Sequence, residues 1–154
     1  MLRFSLSLLF WFVIALPANA QAPVSKSFFS GVAIGGQDTV AYFSAASRQS
    51  GQAVEGDKRF STQWLGALWH FASADDRDKF AANPEAYVPE FNGHCANALS
   101  LGEGLIKTDG QTWQFFGEQL FLFYAPRGLT RWQNGDFTAY LATARQNWLH
   151  LSAP

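Results

Sequence analysis

A single cysteine, Cys95, stands in a chain of 154 residues, so no internal disulfide can form. Charge is scarce as well as balanced, with 11 Lys and Arg against 12 Asp and Glu and a net charge of −1. Nothing basic is clustered along the sequence, which argues against a nucleic-acid or anionic-membrane surface. Beyond the first twenty residues there is no apolar run approaching the roughly 18–20 residues that a membrane-spanning helix needs. Aromatics, by contrast, are abundant: 15 Phe and 6 Trp. Each buried ring removes on the order of 150–250 Å² from water, which is how a small domain without disulfides can hold a stable core.

Residues 1–20 read as a secretory signal peptide. Arg3 supplies the positive start, Leu6 to Leu16 is apolar apart from Ser7, and Pro17-Ala18-Asn19-Ala20 ends in a small-x-small pattern. Cleavage is expected near Ala20, giving a periplasmic or secreted protein with no membrane span in the mature chain. No cysteine sits at the cleavage point, so a lipid anchor is not indicated.

Residues 21–30 are polar at first and without periodicity, an N-terminal tether. Residues 31–150 form one domain, with no linker or low-complexity tract inside it. Gly35-Gly36-Gln37-Asp38 signals a turn before the apolar run Val40-Ala41-Tyr42-Phe43, and Ser44 to Lys58 reads as a surface loop. A first hairpin spans Phe60 to Phe71 around Leu65-Gly66, with Trp69 and Phe71 on one face and Leu68 and His70 on the other. Ser73 is positioned as a helix N-cap with Asp75 and Asp76 in the first turn, and Asn83-Pro84 ends that helix. Gly93 and the small residues after it indicate a tight turn into a short helix. A second hairpin spans Thr112 to Tyr124, its Gly117-Glu118 suited to a two-residue type II′ loop. Asp136 caps a final helix whose apolar stripe is Phe137, Tyr140, Leu141, Ala144 and Trp148. The expected fold is α+β: a small antiparallel sheet built from hairpins, packed with short helices and a C-terminal amphipathic helix.

The order Gly36-Gln37-Asp38-Thr39-Val40-Ala41-Tyr42-Phe43, Trp69-His70-Phe71-Ala72-Ser73 and Phe80-Ala81-Ala82-Asn83-Pro84-Glu85-Ala86-Tyr87 resembles a YHS domain. The continuation from Phe91 to Gly102, with Trp113, Leu120-Phe121-Leu122 and Gln146-Asn147-Trp148, is similar to the exported, stand-alone branch of that family. The resemblance covers about residues 31–150. It implies an exported binding or accessory module. In YHS domains attached to copper-transporting ATPases, metal is thought to be held by cysteines in two stretches. Matched residue by residue, those thiols fall on Ala41 and Ala72 here, so that thiolate set is gone.

What chemistry remains centres on His94-Cys95. Imidazole and thiolate suit copper or zinc, although a closed site wants about four ligands and no spacing ties His70, His150 or a carboxylate to the pair. Cys95 is open to four roles: metal ligand, redox thiol, intermolecular bridge, or small core residue. His70 lies between aromatics on a strand, and His150 follows the last helical turn, where a cation suits the dipole. Asp38 reads as a turn-forming carboxylate, and Asp75-Asp76-Asp78 as a solvated helix start. Enzyme templates are missing: no phosphate-loop lysine follows Gly31 to Gly36, and no Gly-x-Ser-x-Gly occurs. Two readings follow from different classes. One is a module binding a soft metal or small ligand near Cys95 with His94 assisting. The other is a structural or protein-partner-binding module with Cys95 in the core. A thiol redox protein is the third.

Overall fold

Two hairpins set the frame in the computed structural model, in which residues 22–153 are described; residues 1–20, read as a signal peptide, lie outside them. β1 (Asp57–Trp64) and β2 (Ala67–Phe71) pair antiparallel, Trp64 opposite Ala67. Their two-residue turn holds Leu65 and Gly66 at φ of 47° and 68°, the doubly left-handed geometry that matches the twist of the strands. β3 (Thr112–Phe116) and β4 (Gln119–Phe123) close through Gly117 at φ 62°, with Glu118 on the ordinary side of φ. That combination fits the type II′ loop expected from Gly117-Glu118. The α+β architecture holds, but each hairpin is its own two-stranded sheet.

The helices are α1 (Ala45–Ser50), α2 (Ala74–Ala82), α3 (Ala96–Leu101), α4 (Pro126–Asn134) and α5 (Phe137–Leu151). Ser73 caps α2 by accepting from the Asp76 amide at 3.1 Å, and Asp136 caps α5 through the Ala139 amide at 3.0 Å. Two helices were not foreseen. α1 falls in the stretch read as surface loop, where Ser44 caps it through the Ser47 amide and Gly51, at φ 69°, ends it. α4 opens with Pro126 in its first turn, a position that has no use for an amide proton. Among the described residues no helix is long and apolar enough to cross a membrane.

β4 stands between two cores, and the alternation of its side chains divides them. Leu120 and Leu122 enter a cluster with Trp69, Phe71, Phe80, Tyr42 and Trp113. Phe121 and Phe123 face the other way, toward Trp132, Leu99, Leu141 and Ala144. In the first core Phe80 of α2 lies 5.1 Å from Trp69 and 5.2 Å from Phe71, ring to ring. In the second, Trp132 of α4 lies 5.4 Å from Phe121 and 5.5 Å from Phe123. α3 packs on α5, where Asn147 donates to the Leu99 carbonyl at 2.8 Å.

The segment read as a tether is part of this fold from Val24 onward. Val24 and Ser25 are buried. The Ser25 amide donates to the Asn92 carbonyl, its carbonyl accepts from Ile34, and its hydroxyl accepts from the Thr108 amide. Ala33 pairs with Lys26, and Val32 pairs with Leu68 in parallel, so the chain start runs along the free edge of β2. The polar composition of 21–30 hid this, because the anchoring is done by backbone groups and one serine.

Candidate functional site

The outer face of β2, opposite Trp69 and Phe71, does not join a core. It forms one wall of a cavity of about 520 Å³. Val32 and His70 supply that wall, the 107–109 segment and Tyr124 face it, and Lys26, Ser27, Ser30, Glu55 and the glycines at 35, 36 and 56 complete the lining. A volume in the few-hundred Å³ range is that of a small-molecule site.

Glycine is what lets the walls approach. At Gly35, φ is 67° and a Cβ would lie 2.4 Å from the Asp109 carbonyl oxygen, so the 34–36 turn rests directly on the backbone of the opposite wall. A Cβ at Gly56 would lie 2.5 Å from the His70 carbonyl carbon, which fixes the imidazole's strand against the loop before β1. Below the cavity, Asp38 locks the turn to β2. Its Oδ1 accepts from the amides of Val40 at 2.9 Å and Ala41 at 3.2 Å, and its Oδ2 from Ala72 at 2.8 Å. Burial pushes this carboxyl up from the ordinary range, and the backbone donors of Ala72, Ala41 and Val40 only partly offset it. Asp38 therefore performs the turn-forming role read from the sequence, with a long-range partner the sequence did not show.

The cavity carries both signs of charge. Lys26 and Lys107 bring ammonium groups, Glu55 and Asp109 carboxylates. Lys26 spends one donor on the Gly66 carbonyl, and Asp109 accepts from the Gln111 amide at 2.9 Å. His70 Nε2 is buried and meets no hydrogen-bond partner among the described residues. A buried imidazole nitrogen left without a partner is costly. The arrangement offers reversible recognition of a small polar molecule: cationic and anionic anchors, an imidazole, and apolar contact from Val32 and Tyr124.

His94 and Cys95 lie elsewhere, and they diverge. Cys95 is the N-cap of α3, buried, with Sγ accepting from the Tyr124 amide at 3.2 Å and the Ala98 amide at 3.5 Å. It borders a small cleft of about 50 Å³ with Glu103, Ile106 and Tyr124. His94 borders a different groove, beside Phe28, Phe29 and Leu105. Its Nδ1 lies 3.0 Å from the Phe91 carbonyl oxygen, and since a carbonyl only accepts, Nδ1 carries the proton of the neutral ring. Burial lowers its pKa, only partly opposed by that carbonyl, while Lys107 lowers it further. The ring packs 5.8 Å from Trp148. The two side chains thus border separate spaces. Among the described residues no group of three or more His, Cys, Asp or Glu could hold one metal ion.

Ala41 and Ala72, which stand where the family resemblance would place thiols, are both near Asp38: the amide of each donates to its carboxylate. His150 is exposed in the last turn of α5, and Asp75 and Asp76 occupy the first turn of α2. Lys26, Glu55, Lys107, Asp109 and Tyr124 were not singled out from the sequence. They come from four separate stretches and share no spacing. The one signal pointing to them was the Gly35-Gly36 turn.

Cys95 acts on the cavity only through Tyr124, whose amide it holds. Replacement of Cys95 by Ser keeps an acceptor at a helix N-cap, a position that hydroxyls favour, and is expected to change stability by less than about 1 kcal/mol. Cys95→Ala leaves both amides without their acceptor and is expected to cost about 2 kcal/mol in denaturant unfolding. Equal losses for the two variants would show that the sulfur's volume and not its acceptor role matters. No protein-family model matches the chain, and no curated protein or solved structure is significantly similar to it.

Proposed function

We propose that this chain is an exported, YHS-like binding module that takes a small polar ligand into the cavity between β2 and the 107–109 segment. The observation that carries the reading is the cavity itself: about 520 Å³, lined by two lysines, two carboxylates and an imidazole against Val32 and Tyr124. The leader-like sequence of residues 1–20 supports export to the periplasm or beyond, and the residue order from Gly36 to Trp148 supports the YHS-like assignment. Cys95 supports the site from behind by fixing Tyr124. Copper or zinc at His94 and Cys95 would need both side chains to turn toward one point, so small-ligand binding is the better supported half of the sequence reading.

The test is a ¹H–¹⁵N NMR titration with succinate, glutamate and inorganic phosphate, which sample anionic and zwitterionic chemistry. At least one is expected to give saturable shifts concentrated at the amides of Gly35, Gly36, Gly56 and Thr108. If none of them saturates there, or if shifts cluster at His94 and Cys95 on adding copper or zinc, the cavity is not the site.

A further inference from the structure

Phe28 and Phe29 crown the turn that joins the paired residues Lys26 and Ala33. Their rings touch edge to face at 5.4 Å. Neither is a side chain displaced from a core, since both cores are filled by other aromatics and this turn projects beyond them. Such large apolar surface held out on a short, well-tied loop normally has something to cover it.

The turn's own hydrogen bonding restricts what that is. The Ser27 amide donates to the Val32 carbonyl and the Gly31 amide to the Ser27 carbonyl. The Ser30 amide donates to the Ser27 hydroxyl and the Val32 amide to the Ser30 hydroxyl. Four of the six amides from Ser27 to Val32 are thus satisfied within the turn, which lowers the cost of placing it at the polar headgroup level. The amides and carbonyls of Phe28 and Phe29 make no bond among the described residues, and at headgroup depth these meet lipid headgroups or water. An edge awaiting a protein strand would instead present a row of free donors and acceptors.

Charge around the tip points the same way. Lys26 and Lys107 flank the groove behind it, together with Leu105 and Pro23, and no carboxylate lines that groove. Asp109 and Glu55 are in the adjoining cavity. Tyr124, 65% exposed, lines that cavity too. The sequence showed no basic cluster because Lys26 and Lys107 are 81 positions apart; the fold puts them on one groove. Aromatic tips with flanking lysines are the pattern of a membrane-interface contact, and a few such residues suffice for reversible but not permanent attachment.

We infer that the Phe28-Phe29 turn is a bilayer-docking tip, inserting both rings at the headgroup level of an anionic lipid surface while Lys26 and Lys107 meet the phosphates. Docking presents the mouth of the cavity, which shares Lys26, Ser27, Ser30 and Lys107 with the groove, to the membrane side. The inference stands apart from the identity of any ligand in the cavity.

Both rings are exposed, so their removal leaves the fold intact and the test is clean. Protein comprising residues 21–154, which contains both cores, is sedimented with phosphatidylglycerol–phosphatidylcholine vesicles and with phosphatidylcholine vesicles. The expected result is binding to the anionic vesicles that falls at least about tenfold in Phe28→Ala/Phe29→Ala, with unchanged thermal unfolding. Lys107→Gln should weaken anionic-vesicle binding roughly fivefold and leave phosphatidylcholine binding as it was. Absence of vesicle binding by the wild type, or equal binding by the double variant, overturns the inference. So does a dimer in analytical ultracentrifugation that the double substitution dissolves, because a second copy would then cover the tip.

Discussion

Replacing Asp38 by Ala is expected to destabilise the protein by about 3 kcal/mol, enough to lower its unfolding temperature by roughly 10 °C. The carboxylate is fully buried and accepts from three backbone amides on two segments, Val40 and Ala41 on one side and Ala72 on the other. Alanine strands all three donors at once. Asn is the more informative substitution, since its single oxygen can serve the Oδ1 pair or the Oδ2 partner while its amide group faces a donor on the remaining side. Its cost should be intermediate, about 1–2 kcal/mol. The carboxyl also predicts a pH dependence. Burial is the largest influence and raises its pKa above the ordinary 3.8. A group that binds its proton more tightly in the folded state contributes its full stabilisation below the unfolded pKa and loses it as pH rises through the folded value. Wild-type stability should therefore decline from about pH 3.8 upward through the raised pKa, relative to Asp38→Asn, where that component is gone. Denaturant unfolding of both proteins across this range checks it; parallel curves would show that the backbone bonds fully offset burial, and a wild-type curve rising with pH that they outweigh it.

Trp132→Ala is expected to be the most damaging change in the second core, at about 4 kcal/mol. The indole is 1% exposed and contacts Phe116, Phe121, Phe123 and Phe137, while its Nε1 lies 3.4 Å from the Ser100 hydroxyl. It is also the main apolar anchor of α4. Arg131 beside it bonds Asn97 and Ser100 on α3 and lies over the Tyr140 ring at 3.7 Å, but such half-exposed contacts contribute less than the buried indole. The damage should be local: amide hydrogen exchange is expected to accelerate in α4 and α5 well before the Trp69–Phe80 cluster, because β4 separates the two cores. A uniform loss of protection across both cores would mean that they unfold as one unit.

The hairpins were legible because their signals are local. Leu65-Gly66 and Gly117-Glu118 state where the chain reverses, and period-two alternation states which side chains share a face. Ser73 and Asp136 announced their helices for the same reason. α4 escaped notice since Arg127, Gly128 and Thr130 dilute its apolar pattern to Leu129 and Trp132, and its helicity rests on packing against Phe121 and Phe123. The N-terminal segment was equally silent, with Val24 and Ser25 buried inside a stretch of polar composition.

The site was less legible than the fold. Chemistry-bearing residue types drew attention to His94 and Cys95, and their adjacency suggested cooperation. In the structure the neighbours point into separate spaces, the thiol working as a helix cap and the imidazole packing on Trp148. The cavity instead draws on lysines, carboxylates and glycines that are unremarkable in sequence and meet only through the Asp38-locked turn. Long-range backbone contact, such as Gly35 against Asp109, leaves no pattern in a single sequence beyond the glycine itself.

Filling the cavity is the most direct measurement. Val32 lines it and is only half-buried, so Val32→Trp occupies the space with limited disturbance to either core. The NMR titration with succinate, glutamate and phosphate should show saturable shifts at Gly35, Gly36, Gly56 and Thr108 in the wild type. In a Val32→Trp protein whose remaining spectrum is native, those shifts should disappear. A variant that titrates like the wild type would contradict the cavity as the binding site.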